Sequence, residues 1–316
     1  MEQCNNDTIH IIFAINDSYS AQCAVVITSI LKNSKAFFHF HVLDGGISES
    51  NKNKIAKLKR VRDFNISYHD MKNFDFSELP LNRDWISVET YYRLFIPDII
   101  DKTINKVIYL DCDIIVKGDL FNLYNTDLGN NLFGAVLDET YKDNAERLGI
   151  KKYFNAGVLI FNLAKLREIN LASKCIEFYK QNNKKIIYQD QDILNGLFSE
   201  NTKYVPFIWN VTSLLYLKDV CENNLYISAE EQVQALKTPM IIHYTGGGRN
   251  KPWVENSIHP LAYEYFNYLK FTPYKINYIK KCLQFMFSIK NSENHKIINI
   301  LGIKVKIKRR KKISHK

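Results

Sequence analysis

The feature that most restricts the fold of this chain is a strand-then-helix alternation through its first half. Residues 9–15 (IHIIFAI) form an apolar run long enough for a buried strand. A helical pattern follows over 21–32, then a second apolar run at 37–43 (FFHFHVL) that ends in the turn signal Asp44-Gly45-Gly46. A polar helix over 48–59 and a strand at 64–68 continue the pattern. Strands that alternate with helices predict βαβ units and an α/β domain with a mixed, mostly parallel sheet. Further on, 88–95 reads as helical and stopped by Pro97, and 106–110 (KVIYL), 132–137 and 157–162 as strands. Residues 192–198 read as a helix and 240–244 (MIIHY) as a short late strand.

Composition bounds this reading. With 316 residues, 46% of them apolar and 13% aromatic, the chain has ample material for one large domain and a small appendage. No run reaches the roughly 18 apolar residues of a membrane-spanning helix, and the polar first ten residues lack the plan of a secretion signal. Six scattered cysteines without a Cys-x-x-Cys pair point to free thiols in a reducing cytoplasm. The net charge of +10 is concentrated. Residues 296–316 hold nine Lys/Arg and no acidic residue, which leaves +1 for everything before them.

The strand 106–110 runs directly into Asp111-Cys112-Asp113. Ligands of open α/β sheets gather beyond the carboxyl ends of strands, and two hard carboxylates there suit Mg²⁺ or Mn²⁺. Asp-x-Asp recurs by chance, and the apolar strand before it is what strengthens the metal reading. His243, at the end of the late strand, fits either a satisfied core histidine or a third ligand. The loop Gly246-Gly247-Gly248-Arg249-Asn250-Lys251 offers bare amides and a cation for phosphate, or is an ordinary turn. In Tyr188-Gln189-Asp190-Gln191-Asp192 the acids either cap a helix start or stand beside a reacting sugar carbon.

Five motifs taken together resemble glycosyltransferase family 8, above all its bacterial lipopolysaccharide and lipooligosaccharide α-galactosyl- and glucosyltransferases. They are Phe13-Ala14, Tyr109-Leu110-Asp111-Cys112-Asp113, Asn155-Ala156-Gly157-Val158, the segment from Tyr188 to Asn195, and His243-Tyr244-Thr245-Gly246 with Lys251-Pro252-Trp253. They occur in family order over about 9–270. The resemblance implies a GT-A (nucleotide-diphospho-sugar transferase) fold over 1–270, a UDP-hexose donor and Mn²⁺, with Mg²⁺ as the alternative ion, and retention of anomeric configuration. It implies Asp111, Asp113 and His243 as metal ligands. It places Ala14, Asn16, Ser18, Tyr19, Thr90, Arg93, Asp111, Cys112, Gly246 and Lys251 around the nucleotide. Arg93, Asp138, Asn155, Ala156, Asp190 and Gln191 would face the donor sugar, with Gln191 and Asp190 the residues nearest the chemistry. Asn16 replaces a usual Asp, Ser18 a common Asn, and the loop from His243 to Lys251 is about two residues longer than in close relatives.

An amide at Gln191 is a poor nucleophile. The family resemblance therefore favours a front-face transfer of galactose or glucose over the two-carboxylate route of retaining glycosidases, with Asp190 as a covalent or charge-stabilising candidate. A catalytically silent UDP-sugar or membrane-binding protein and a nucleotidyltransferase are the other readings. Beyond 270 the texture changes. An amphipathic helix over 274–289, a β-rich apolar stretch over 297–307 and a cationic run over 308–312 suit an anionic membrane surface. A solvated tail and non-specific nucleic-acid binding are the alternatives, and no specific nucleic-acid module accompanies the charge. The expected setting is cytoplasmic and peripheral at the inner membrane, with a lipid-linked oligosaccharide as acceptor.

Overall fold

The computed structural model describes residues 8–79, 81, 87–217 and 227–275 in full, together with the backbone of 287–291, 295–300 and 303–308. The chain divides into two compact units, Met1–Pro273 and Tyr274–Lys316.

In the first unit the strands are β1 (Thr8–Ile15), β2 (Phe37–Asp44), β3 (Asn65–Asp70), β4 (Lys106–Leu110), β5 (Ile114–Val116), β6 (Phe133–Leu137), β7 (Phe154–Asn162), β8 (Thr202–Val205), β9 (Val211–Thr212) and β10 (Ile241–His243). Seven of them form one sheet in the order β3-β2-β1-β4-β7-β6-β8. Its pairs are parallel except where β7 runs antiparallel to β4 and β6, which is the mixed, mostly parallel arrangement anticipated. β1 is apolar almost throughout because it lies in the middle of a parallel sheet and needs cover on both faces. Ile9, Ile11, Ile12 and Phe13 are all buried. The helix Ser20–Asn33 supplies a buried run from Cys23 to Leu31.

Register then decides what meets what. β1, β2 and β4 run parallel, so Ile15, Asp44 and Leu110 finish at one edge of the sheet. β7 enters at that edge from the opposite direction: Leu110 pairs with Val158, and the Asp111 amide bonds Gly157 O at 2.9 Å. A register shift of β7 against β6 lies beside this point, with Ala135 opposite Leu159 and Val136 opposite Asn155. Such bulges re-aim the chain next to sites. A second sheet, β5-β10-β9, pairs His243 with Ile114 and with Thr212. Asp113 immediately precedes Ile114, so this short sheet carries His243 to it.

Element boundaries differ from the sequence reading in a few places. Val88–Phe95 is a 3-10 helix, and Pro97 does not stop the path but sits in the first turn of the short helix Ile96–Ile99. Proline is tolerated there because that amide has no intrahelical partner. The helix expected from 192 begins at Gln189. In the second unit β11 (Phe287–Asn291), β12 (His295–Ile300) and β13 (Ile303–Lys308) form an antiparallel meander. The β-rich stretch is thus extended as read. The amphipathic helix fails at its end, where Phe287 to Ile289 are extended and paired, while 276–286 and the cationic residues 309–312 lie outside the described residues. Among the described residues no helix is long and apolar enough to cross a membrane, and Cys23, Cys112 and Cys175 are buried free thiols.

Candidate active site

The sheet edge where β1, β4 and β7 meet opens into a cleft of about 650 Å³. It is lined by Ala14, Asn16, Tyr19, Thr90, Arg93, Asp111, Cys112, Asp113, Asp138, Asn155, Ala156, Asp190, Gln191, His243, Gly246 and Lys251, along with residues the sequence reading did not assign a role. Every expected site residue except Ser18 therefore faces one space. Ser18 is outside the lining. Its amide and hydroxyl donate to Asn16 Oδ1 at 3.1 and 2.6 Å, so it holds the turn that presents Asn16.

Asp111, Asp113 and His243 each offer a ligand atom, all within 4.8 Å of one another. The His243 ring is buried, with its side chain 4% exposed, whereas Asp111 remains 27% exposed toward the cleft. His243 Nε2 lies 3.1 Å from Asp113 Oδ1 and 3.7 Å from Asp111 Oδ2. Its Nδ1 lies 2.8 Å from Asn210 Oδ1. Asn210 is oriented in turn, since its Nδ2 donates to Asn155 Oδ1, which also accepts the Gly157 amide. A neutral imidazole has one N–H, and Asn210 accepts it. The other nitrogen then presents a lone pair to two carboxylates, an arrangement that a shared cation stabilises. The Lys251 ammonium supplies positive charge at the same place, ion-paired with Asp113 Oδ2 and bonded to Tyr244 O at 2.6 Å. The Lys251 ammonium holds the Asp113 carboxyl well below its usual range despite burial. The donor set of two carboxylates and one imidazole fits a divalent ion.

Behind the acids stands Arg93, buried on the 3-10 helix. It reaches Asp111 Oδ1 at 2.9 Å, Asp190 Oδ2 at 3.1 Å and Ala156 O at 2.5 Å. Tyr109 Oη also donates to Asp111 Oδ1, at 3.0 Å. Burial raises the Asp190 carboxyl to about 6 against the pull of Arg93, and Thr90 donates its hydroxyl to Oδ1. Gln189, fully buried, adopts a left-handed φ of 40° at the start of this helix, a strained geometry of the kind that gathers at functional sites. Gln191 is clamped at both ends of its amide: Oε1 accepts the Ala156 amide at 2.9 Å and Nε2 donates to Tyr153 Oη at 3.0 Å. Asp192 acts in the packing. It takes a two-pronged bond from Arg147 and the amides of Ile187 and Tyr188, so it fixes the preceding loop.

Gly157 is where backbone meets chemistry. A Cβ there would collide with His243 Cε1 and stand 2.8 Å from Asp111 Oδ2. Sequence reasoning noted Gly157 in its motif without a role, and missed Asn210 and Glu139 altogether. Asn210 follows an aromatic run outside any motif. Glu139 sits next to Asp138, buried, with the Thr212 hydroxyl on its Oε1.

The match to the family model for glycosyl transferase family 8 spans residues 10–257. The chain belongs to that family. It is 27% identical over 275 residues to general stress protein A of Bacillus subtilis (84% of this chain, 95% of that protein). It is also 27% identical over 281 residues to lipopolysaccharide 1,2-glucosyltransferase of Escherichia coli K12 (85% and 80%). A crystal structure of the galactosyltransferase LgtC in complex with donor and acceptor sugar analogues superposes with a TM-score of 0.74 at 31% identity, covering 86% of this chain and 99% of that one. The fold is accordingly GT-A, and the family is one of glycosyltransferases.

Proposed function

We propose that this family 8 member transfers a hexose, galactose or glucose, from UDP to a lipopolysaccharide or lipooligosaccharide acceptor with retention of configuration. The observation that carries the reading is the convergence of Asp111, Asp113, His243 and Lys251 with Asp190 and Gln191 in one cleft. Sugar-acting relatives with lipopolysaccharide acceptors support the acceptor class.

In this reading Asp111, Asp113 and His243 hold Mn²⁺, or Mg²⁺ in its place. A bound divalent ion neutralises the charge that grows on a departing diphosphate. Lys251 leaves Asp113 for the diphosphate, joined by the free amides of the Gly246–Gly248 loop. Ala14, Asn16, Tyr19, Thr90 and Cys112 border the nucleotide. Arg93, Asp138, Asn155 and Ala156 border the sugar. Gln191 is neutral and locked by Ala156 and Tyr153, so it positions the anomeric carbon rather than attacking it. The acceptor hydroxyl then enters on the face that UDP leaves. The anomeric C–O bond to phosphate breaks, the new C–O bond forms, and the departing phosphate oxygen takes the hydroxyl proton. Asp190, fixed by Thr90 and Arg93, stabilises positive charge on the sugar ring.

A panel of UDP-hexoses incubated with Mn²⁺ tests this by UDP release. One hexose should dominate. Release of pyrophosphate, or tight UDP binding without turnover, would overturn it. We assign the basic second unit to attachment at an anionic membrane surface, on the cytoplasmic side. A chain ending at Tyr274 should keep UDP-sugar hydrolysis and lose sedimentation with anionic vesicles; undiminished sedimentation sinks that assignment.

A further inference from the structure

Four of the eight histidines of the chain lie on three adjacent strands outside the cleft: His10 on β1, His39 and His41 on β2, and His69 on β3. Parallel register produces the cluster. His10 is directly opposite His39, His41 is two residues further along the same face, and His41 is opposite Ser67, two residues before His69. Alternate positions of a strand share a face, so all four rings project to one side of the sheet.

We propose that His10, His39 and His41 form a second metal site, for a borderline divalent ion of the Zn²⁺ class. One ring nitrogen of each lies within 4.8 Å of those of the other two. His10 Nδ1 and His41 Nε2 are 3.0 Å apart. Imidazole nitrogens that share one tetrahedral Zn²⁺ at about 2.0–2.1 Å stand roughly 3.3 Å from each other, and the His39 and His41 rings, stacked with centroids 4.1 Å apart, must turn about their side-chain bonds to face one ion together. The surroundings resemble the outer partners of histidine metal sites, which fix each ring through its second nitrogen. His41 Nδ1 is 3.2 Å from His69 Nε2, and His39 Nε2 is 2.8 Å from Ser67 Oγ. His10, His39 and His69 are half-buried and His41 is buried, so the cluster is partly open to solvent.

The donor sets of the two places differ in kind. Two carboxylates and one imidazole at the cleft suit Mn²⁺ or Mg²⁺, whereas three imidazoles suit Zn²⁺, Ni²⁺ or Cu²⁺. An ion at His10, His39 and His41 would pin β1 to β2 and stiffen the strand that carries Ala14. This site is independent of the transfer reaction proposed above.

Equilibrium dialysis of the full chain against Zn²⁺ alone, with metal counted per chain, decides the matter. His10→Gln and His39→Gln, at half-buried positions, should each bind one equivalent fewer than the parent chain, while UDP release stays unchanged and reports intact folding. Asp113→Asn should retain the histidine-bound equivalent, and Zn²⁺ should raise the melting temperature of Asp113→Asn but not of Asp113→Asn combined with His39→Gln. Equal stoichiometry in the parent and both histidine variants would overturn the site and leave a hydrogen-bonded imidazole chain.

Discussion

Asn210 accepts a hydrogen bond from His243 Nδ1 at 2.8 Å, and so fixes which face of that ring meets Asp113. The pair is separated by 33 residues in sequence but joined by the parallel pairing of β9 with β10, which places Thr212 opposite His243. Asn210→Leu removes the acceptor and lets the ring turn. Loss of such an outer partner lowers metal affinity by about 10–100-fold. Calorimetric titration of UDP with and without Mn²⁺ should show that loss only in the presence of the ion.

Asp113 is the point where His243 and Lys251 converge. Asp113→Ala should abolish transfer and the Mn²⁺-dependent part of UDP binding, with an unchanged far-ultraviolet circular dichroism spectrum. The same variant frees Lys251, so residual metal-independent UDP binding should persist. Ordinary turnover in this variant would remove Asp113 from the ligand set.

Gly157 has no space for a side chain between His243 and Asp111. Gly157→Ala forces one of them to move, and overpacking of this kind destabilises by about 1–3 kcal/mol. The functional loss should be larger than the loss of stability, because the displaced groups are the ones facing the cleft. A melting temperature lowered by only a few degrees, alongside at least a tenfold drop in UDP release at fixed Mn²⁺, is the expected result.

These variants also mark what the sequence could convey. Asp111 and Asp113 were legible because an apolar strand runs straight into them, and the β1-to-β4 region because its hydrophobic runs have strand length and turn signals. His243 could be flagged but not joined to Asp113: the pairing of β10 with β5 spans about 130 residues, and no local pattern encodes it. β5 and β9 are three and two residues long, too short for periodicity to register. Asn210 and Glu139 lay hidden for the same reason, since their roles come from neighbours distant in the chain. Ser18 entered the nucleotide site through the family resemblance alone, and its hydroxyl donates to Asn16 Oδ1.

Glu139 gives a prediction about pH. Its carboxyl is buried, with Thr212 donating to Oε1 and no hydrogen-bond partner for Oε2 among the described residues. Burial, reinforced by the adjacent Asp138 carboxylate, pushes it up to about 8. A carboxyl raised in the folded state binds its proton more tightly there than in the unfolded chain. Its contribution to stability is therefore complete below the ordinary carboxyl range and is lost as pH rises through about 8. At pH 7 the group is mostly neutral and resembles a primary amide in shape. Glu139→Gln keeps an oxygen for Thr212 and removes the titration. Urea denaturation at pH 4 and pH 9 should give similar midpoints for the two proteins at the lower pH. At the higher pH the parent should fall below Glu139→Gln, and an equal fall in both would show that Glu139 ionises without cost in this fold.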